Sequence, residues 1–183
     1  MPDSSARRMC AIAFGPPTMR AALAGLPRIQ AEADCLELRL DLFDEPFDLP
    51  ALLRARGDLP VVVTLRPPRQ GGRCALPDDE RLKVLQQAAD LGAEYVDLEY
   101  DAATQPAIDG LHAAGAQVIV SRHNFSGMPR LTEWWVELAR LGGDIVKVVG
   151  TAHDVRDCLE VARTFARADQ PTIAIAMGER GLL

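Results

Sequence analysis

The chain has 183 residues, 48% of them hydrophobic and 25% charged, and a formal net charge of −6. That is ordinary globular composition with length for one sizeable core, and the acidic balance gives no basic footprint for nucleic acid. No apolar run approaches the roughly 20 residues that cross a bilayer, and the start MPDSSARRMCAIAF lacks the long apolar stretch and cleavage site of a secretory signal, so a cytoplasmic protein without a membrane partner is expected.

In chain order, seven short runs rich in Val, Ile and Leu have strand length. They are MCAIAF from Met9, CLELRLDLF from Cys35, PVVVTLRP from Pro60, EYVDLEY from Glu94, QVIVSRHNF from Gln117, DIVKVVG from Asp144 and PTIAIAMG from Pro171. Their starts lie roughly 20 to 35 residues apart, the length of one βαβ unit. The stretches between them read as helices. DDERLKVLQQAADLG places Leu82, Leu85, Ala88, Ala89 and Leu91 near helical spacing, and TEWWVELARLGG and HDVRDCLEVARTFARA behave alike. Gly92, Gly115 and Gly142-Gly143 stand where helices should stop. Asp78, Thr132 and Asp154 stand at N-caps or first turns.

Strands alternating with helices imply a parallel sheet, either open and doubly wound or closed as a barrel. No early GxGxxG or Walker loop supports a nucleotide-binding open sheet. Polar residues appear toward the C-terminal half of nearly every strand, and in a barrel those ends converge on one mouth. The expected fold is α/β, a single (β/α)8 TIM-type barrel domain over residues 1–183. Only about seven β/α units are present, without a final helix and eighth strand.

The charged residues within strands carry the chemical information. Side chains alternate along a strand, so Glu37, Arg39 and Asp41 share a face, as do Thr64 with Arg66, Asp97 with Glu99, and Ser121 with His123. Charges facing a barrel interior must be paired or solvated at the mouth. Two readings stay open: a polar pocket for a small charged ligand, or an internal salt-bridge network without one. Lys147 interrupts an otherwise apolar strand. Burial would lower its pKa and leave a neutral amine able to form a Schiff base; alternatively it pairs with a carboxylate such as Glu37 or Asp97. His123 ends the preceding strand, one βαβ step away, and suits proton transfer.

The remaining features read more plainly. The loop PPRQGGRCALP after Arg66 suits a mobile connection over the mouth. His112 and His153 read as surface residues, and Trp134 and Trp135 as packing. Cys10, Cys35, Cys74 and Cys158 have neither CxxC nor zinc-site spacing, so reduced thiols are expected.

The series Glu37-Leu-Arg39-Leu-Asp41, Thr64-Leu-Arg66 with Gly71-Gly72, Asp97-Leu-Glu99, Ser121-Arg-His123-Asn-Phe125, Asp144-Ile-Val-Lys147 and Met177-Gly-Glu-Arg-Gly181 resembles the type I 3-dehydroquinate dehydratases. The resemblance implies a carbon–oxygen lyase of the shikimate pathway, which leads to aromatic amino acids. Its substrate would be 3-dehydroquinate, its product 3-dehydroshikimate, and it would use no metal or organic cofactor. It further implies Lys147 as the imine-forming amine, His123 as proton carrier, Glu37, Arg39 and Arg66 on the substrate hydroxyls, and Met177 lining the pocket. A homodimer is compatible with the sequence. Gln70 stands where the family has a glutamate, and Ile175 where it has a second methionine. The family pattern continues past Gly-Leu-Leu with Ser-Arg, a helix and an eighth strand. The alternative expectation is a catalytically impaired barrel fragment that acts as an interaction or complementation partner.

Overall fold

The computed structural model describes residues 9–181. Arg7 and Arg8, read as part of the non-signal start, lie outside the described residues, as do Leu182 and Leu183.

All seven expected strands form: β1 (Ala11–Phe14), β2 (Cys35–Arg39), β3 (Val61–Thr64), β4 (Tyr95–Glu99), β5 (Gln117–Asn124), β6 (Ile145–Thr151) and β7 (Thr172–Met177). They make one sheet in sequence order, and every neighbouring pair is parallel. This is the strand order of a TIM-type barrel, with seven units. Among the described residues β1 pairs only with β2, and β7 only with β6.

The helices are α1 (Met19–Glu32), α2 (Leu49–Ala55), α3 (Asp78–Asp90), α4 (Gln105–Ala113), α5 (Leu131–Ala139) and α6 (Cys158–Arg167). Local chemistry sets their ends. Thr18, Asp48 and Thr104 accept backbone N–H groups at the starts of α1, α2 and α4. Asp154 forms a capping box with Asp157 just before α6. Asp78 and Thr132 lie inside the first turns of α3 and α5 and cap neither. Gly92, Gly115 and Gly142 take φ of 88°, 92° and 89° where helices give way to strands, a conformation costly for residues with a Cβ.

Alternation along the strands separates two apolar regions. Val61, Val63, Val96, Leu98, Val118, Val120, Val146 and Val148 face the helices and pack with Leu85, Ile108, Leu111 and Leu138. Each such buried side chain contributes about 1.5–3 kcal/mol. On the inner face Cys35, Val62 and Ile119 pack with Tyr95, Ile145 and Ile173 into a small floor. Two residues further along each strand the inward positions become Glu37, Thr64, Asp97, Ser121 and Lys147. The site therefore stands on an apolar layer and begins one pleat above it. No helix among the described residues is long and apolar enough to cross a membrane. The four cysteines are free thiols, with Cys10 exposed and the others buried.

Candidate active site

Lys147 lies in the middle of β6, opposite Ser121 of β5, with its side chain only 8% exposed. Its Nζ donates to Glu37 Oε1 at 3.0 Å and to Asp97 Oδ2 at 2.9 Å. These carboxylates arrive on β2 and β4, because period-2 alternation turns them to the same interior as Lys147. Burial pushes its pKa down, but the Asp97 and Glu37 charges outweigh burial and the net pKa is raised. Of the two readings left open, the geometry favours pairing with Glu37 and Asp97, which holds the resting amine protonated.

Asp97 is the hub. Its Oδ2 also accepts from Arg66 Nη2 at 2.8 Å, and its Oδ1 accepts from Ser121 Oγ at 2.5 Å. Burial alone would raise its pKa, but Arg66 and Lys147 hold it well below the usual carboxylate range. Glu37 Oε1 takes a further bond from Thr64 Oγ1 at 3.0 Å. Arg66 is 2% exposed and spends its donors on protein groups. Its Nη1 lies 3.4 Å from Glu99 Oε1, 3.3 Å from Ser121 Oγ and 3.0 Å from His123 Nδ1.

His123 follows Ser121 on the inward face of β5. Arg122 between them points outward, where its guanidinium stacks 4.0 Å from the Trp134 ring and pairs with Glu137 at 2.7 Å. Burial, and then the Arg66 charge, push the His123 ring down to about 3. The ring is held from the loop side as well. The His123 backbone N–H donates to Gln70 Oε1 at 2.9 Å, and Phe125 stacks on the ring with centroids 6.1 Å apart. Phe125 in turn covers Gly71, whose φ of 78° and lack of a Cβ allow the contact. The loop expected to be mobile is pinned: Arg69 pairs with Asp78 at 2.9 Å and Asp101 at 2.6 Å, and Arg73 N–H reaches Asp41 at 3.2 Å.

Within the face shared by Glu37, Arg39 and Asp41, the Arg39 guanidinium turns to Asp41 and holds it through two bonds at 2.9 and 2.8 Å. Burial would raise the Asp41 pKa, but Arg39 keeps it lowered. Met177 ends β7 beside Thr151 and is half-buried. Trp135 is buried, with its indole N–H on Thr172 Oγ1 at 2.9 Å. His112 and His153 are exposed, as expected.

Arg81 was missed altogether. It is 1% exposed on α3, donates to Leu65 O at 2.9 Å and pairs with Glu99 and Asp78. The signal was present: Arg81, Leu85, Ala88 and Ala89 form the buried face of α3, so a charge occupied a core position of the stripe. Arg81 and Arg66 flank Glu99, while burial and the neighbouring Asp97 charge push that carboxyl up to about 7. The site is therefore a closed set of carboxylates (Glu37, Asp97, Glu99) and cations (Arg66, Arg81, Lys147), with one neutral imidazole at its edge. Chemically it offers an amine that a carboxylate can deprotonate, an imidazole one strand away, and water-poor surroundings in which both act strongly. No group of three or more His, Cys, Asp or Glu among the described residues is arranged to hold a metal.

A family model described as Type I 3-dehydroquinase matches residues 10–183. The chain is 37% identical over 159 residues to a chloroplastic bifunctional 3-dehydroquinate dehydratase/shikimate dehydrogenase of Arabidopsis thaliana, covering 82% of this chain and 26% of that protein. It is 36% identical over 157 residues to a 3-dehydroquinate dehydratase of Methanothermobacter thermautotrophicus, covering 84% of this chain and 69% of that one. Among solved structures, 3-dehydroquinate dehydratase from Geobacillus kaustophilus superposes with a TM-score of 0.85 at 26% identity, over 95% of this chain and 76% of that one.

Proposed function

This chain belongs to the type I 3-dehydroquinase family, and on that premise we propose that its site dehydrates 3-dehydroquinate to 3-dehydroshikimate through an imine on Lys147. The observation that carries the reading is the position of Lys147 Nζ between Glu37 and Asp97, one strand from His123. A protonated amine is no nucleophile, so the proton must first leave. Glu37, within hydrogen-bond distance, is the acceptor at hand, because Arg66 keeps Asp97 charged.

The neutral amine then adds to the substrate ketone at C3, and the resulting carbinolamine loses water to give an iminium ion. The iminium withdraws electrons and acidifies the C2 proton. His123 removes that proton, and the electron pair forms an enamine. The enamine expels the C1 hydroxyl, which leaves as water with the proton His123 had taken. Hydrolysis of the conjugated imine returns the amine and releases the product. Glu37, Arg39 and Arg66 are assigned to the substrate hydroxyls and Met177 to the pocket wall, in keeping with the family. Arg66 must exchange protein contacts for substrate to do so.

Trapping tests this directly. With 3-dehydroquinate and borohydride, intact mass should gain one reduced substrate, and peptide mapping should place it on Lys147. Lys83 is the only other lysine, and it lies exposed on α3, so mapping distinguishes a site adduct from surface labelling. Lys147→Ala should give none. His123→Ala should still form the adduct but not the enone product. No Lys147 adduct at saturating substrate would sink the imine reading and favour a noncatalytic barrel partner.

A further inference from the structure

His123 Nδ1 has two neighbours that make opposite demands on it. Arg66 Nη1 lies 3.0 Å away, and a guanidinium can only donate, so this contact requires a lone pair on Nδ1 and puts the ring proton on Nε2. Gln70 Oε1 lies 3.4 Å from the same nitrogen. That oxygen is an acceptor, fixed by the His123 backbone N–H at 2.9 Å, so it demands a proton on Nδ1. We propose that Arg66 and Gln70 compete for Nδ1 of His123, and that release by Arg66 switches the ring from an Nε2–H donor at rest to an Nδ1–H tautomer with a bare, basic Nε2. This rests on the reading of His123 as the proton carrier.

The surroundings supply both end states. Arg66 Nη1 has Ser121 Oγ at 3.3 Å and Glu99 Oε1 at 3.4 Å to occupy when it leaves the ring. Gln70 is 6% exposed and its oxygen is already oriented, so it accepts the relocated proton without a rotamer change. Lys147 and Arg66 share Asp97 Oδ2. When Nζ withdraws into an imine, that oxygen is left to Arg66 alone and draws the guanidinium toward Asp97, away from the His123 ring. Imine formation and base activation are thereby coupled through one carboxylate oxygen. With the ring's pKa pushed down by burial and Arg66, the two neutral tautomers are the states that matter near neutral pH. An amide at position 70 leaves the choice between them to Arg66. A carboxylate there would hold the proton on Nδ1 permanently.

Nitrogen-15 NMR of histidine-labelled protein without substrate tests the competition. There are three histidines, and His123→Gln identifies the relevant pair of signals by their loss. In the free protein Nδ1 should appear unprotonated and Nε2 protonated. Gln70→Glu should reverse them and move the ring's titration upward by at least one pH unit. Arg66→Lys, which keeps a cation for Asp97 but shortens its reach, should move the proton partly to Nδ1. If that variant does not fold, Gln70→Glu alone decides. A free protein with Nδ1 already protonated, or a Gln70→Glu protein that keeps its proton on Nε2, overturns the proposal. These spectra involve no substrate, so they stand or fall separately from the trapping experiment.

Discussion

The outer strands are the more apolar in sequence, yet the middle strands are the buried ones. β3 is buried at every position and β4 at all but its first, whereas β1 and β7 contain no fully buried residue. The difference is neighbours. A strand flanked on both sides, with helices across one face and a packed interior on the other, buries whatever it carries, including Asp97 and Glu99. A strand paired on one side leaves even Ile175 38% exposed. α6 shares the outer condition and shows Leu159 and Phe165 to solvent. Every charge in the Lys147 network on a strand lies on β2, β4 or β6, or, for Arg66, just past β3. All four strands have two partners, and ion pairs need that burial to be strong.

Three measurements can break or sharpen this comparison. The largest effect is expected at the hub. Asp97→Ala leaves Lys147 and Arg66 buried without their common partner and should cost about 3–5 kcal/mol in urea unfolding. A loss below about 1 kcal/mol would mean that water or Glu37 already satisfies both cations.

Next come matched apolar truncations. Leu98→Ala on β4, 2% exposed, should cost about 2–5 kcal/mol. Ile175→Ala on β7 should cost under about 1 kcal/mol. Equal losses would show the outer strand to be covered in solution, and sedimentation would then reveal the association that covers it.

The smallest effect is a pH dependence confined to the middle of the sheet. The folded His123 ring titrates at about 3 against an ordinary 6.5, so the unfolded chain takes up a proton first on acidification. The stability tied to this group is present above pH 6.5 and is lost as pH falls toward 3. By about pH 5 the loss should reach about 2 kcal/mol, and His123→Gln should flatten that part of the stability curve. An unchanged slope in the variant would remove His123 from the buried set.

Much of this fold is legible in the sequence because its signals are local. Period-2 alternation marks the strands, helical spacing marks α3, α5 and α6, and glycines mark the stops. The inward face of each strand was legible for the same reason. The pairing was not. Lys147 lies 110 residues from Glu37 and 50 from Asp97, so no local pattern distinguishes a desolvated amine from an ion-paired one. Arg81 was hidden because Leu82 was assigned to the buried stripe that Arg81 occupies. Gln70 read as a lost carboxylate. Its use as an acceptor depends on the turn at 68–70 that aims it at β5, and only coordinates supply that.

One detail of the outer region gives the molecule an optical readout. The chain has two tryptophans, adjacent on α5 but in unlike settings. Trp135 donates its indole N–H to Thr172 of β7, while Trp134 lies beneath the Arg122 guanidinium. Separation of β7 would free and hydrate the Trp135 indole, shifting its fluorescence to longer wavelength, and leave the Trp134 stack unaltered. A Trp134→Phe protein would then have one tryptophan, whose emission colour records whether the last strand is docked, separately from unfolding of the buried centre.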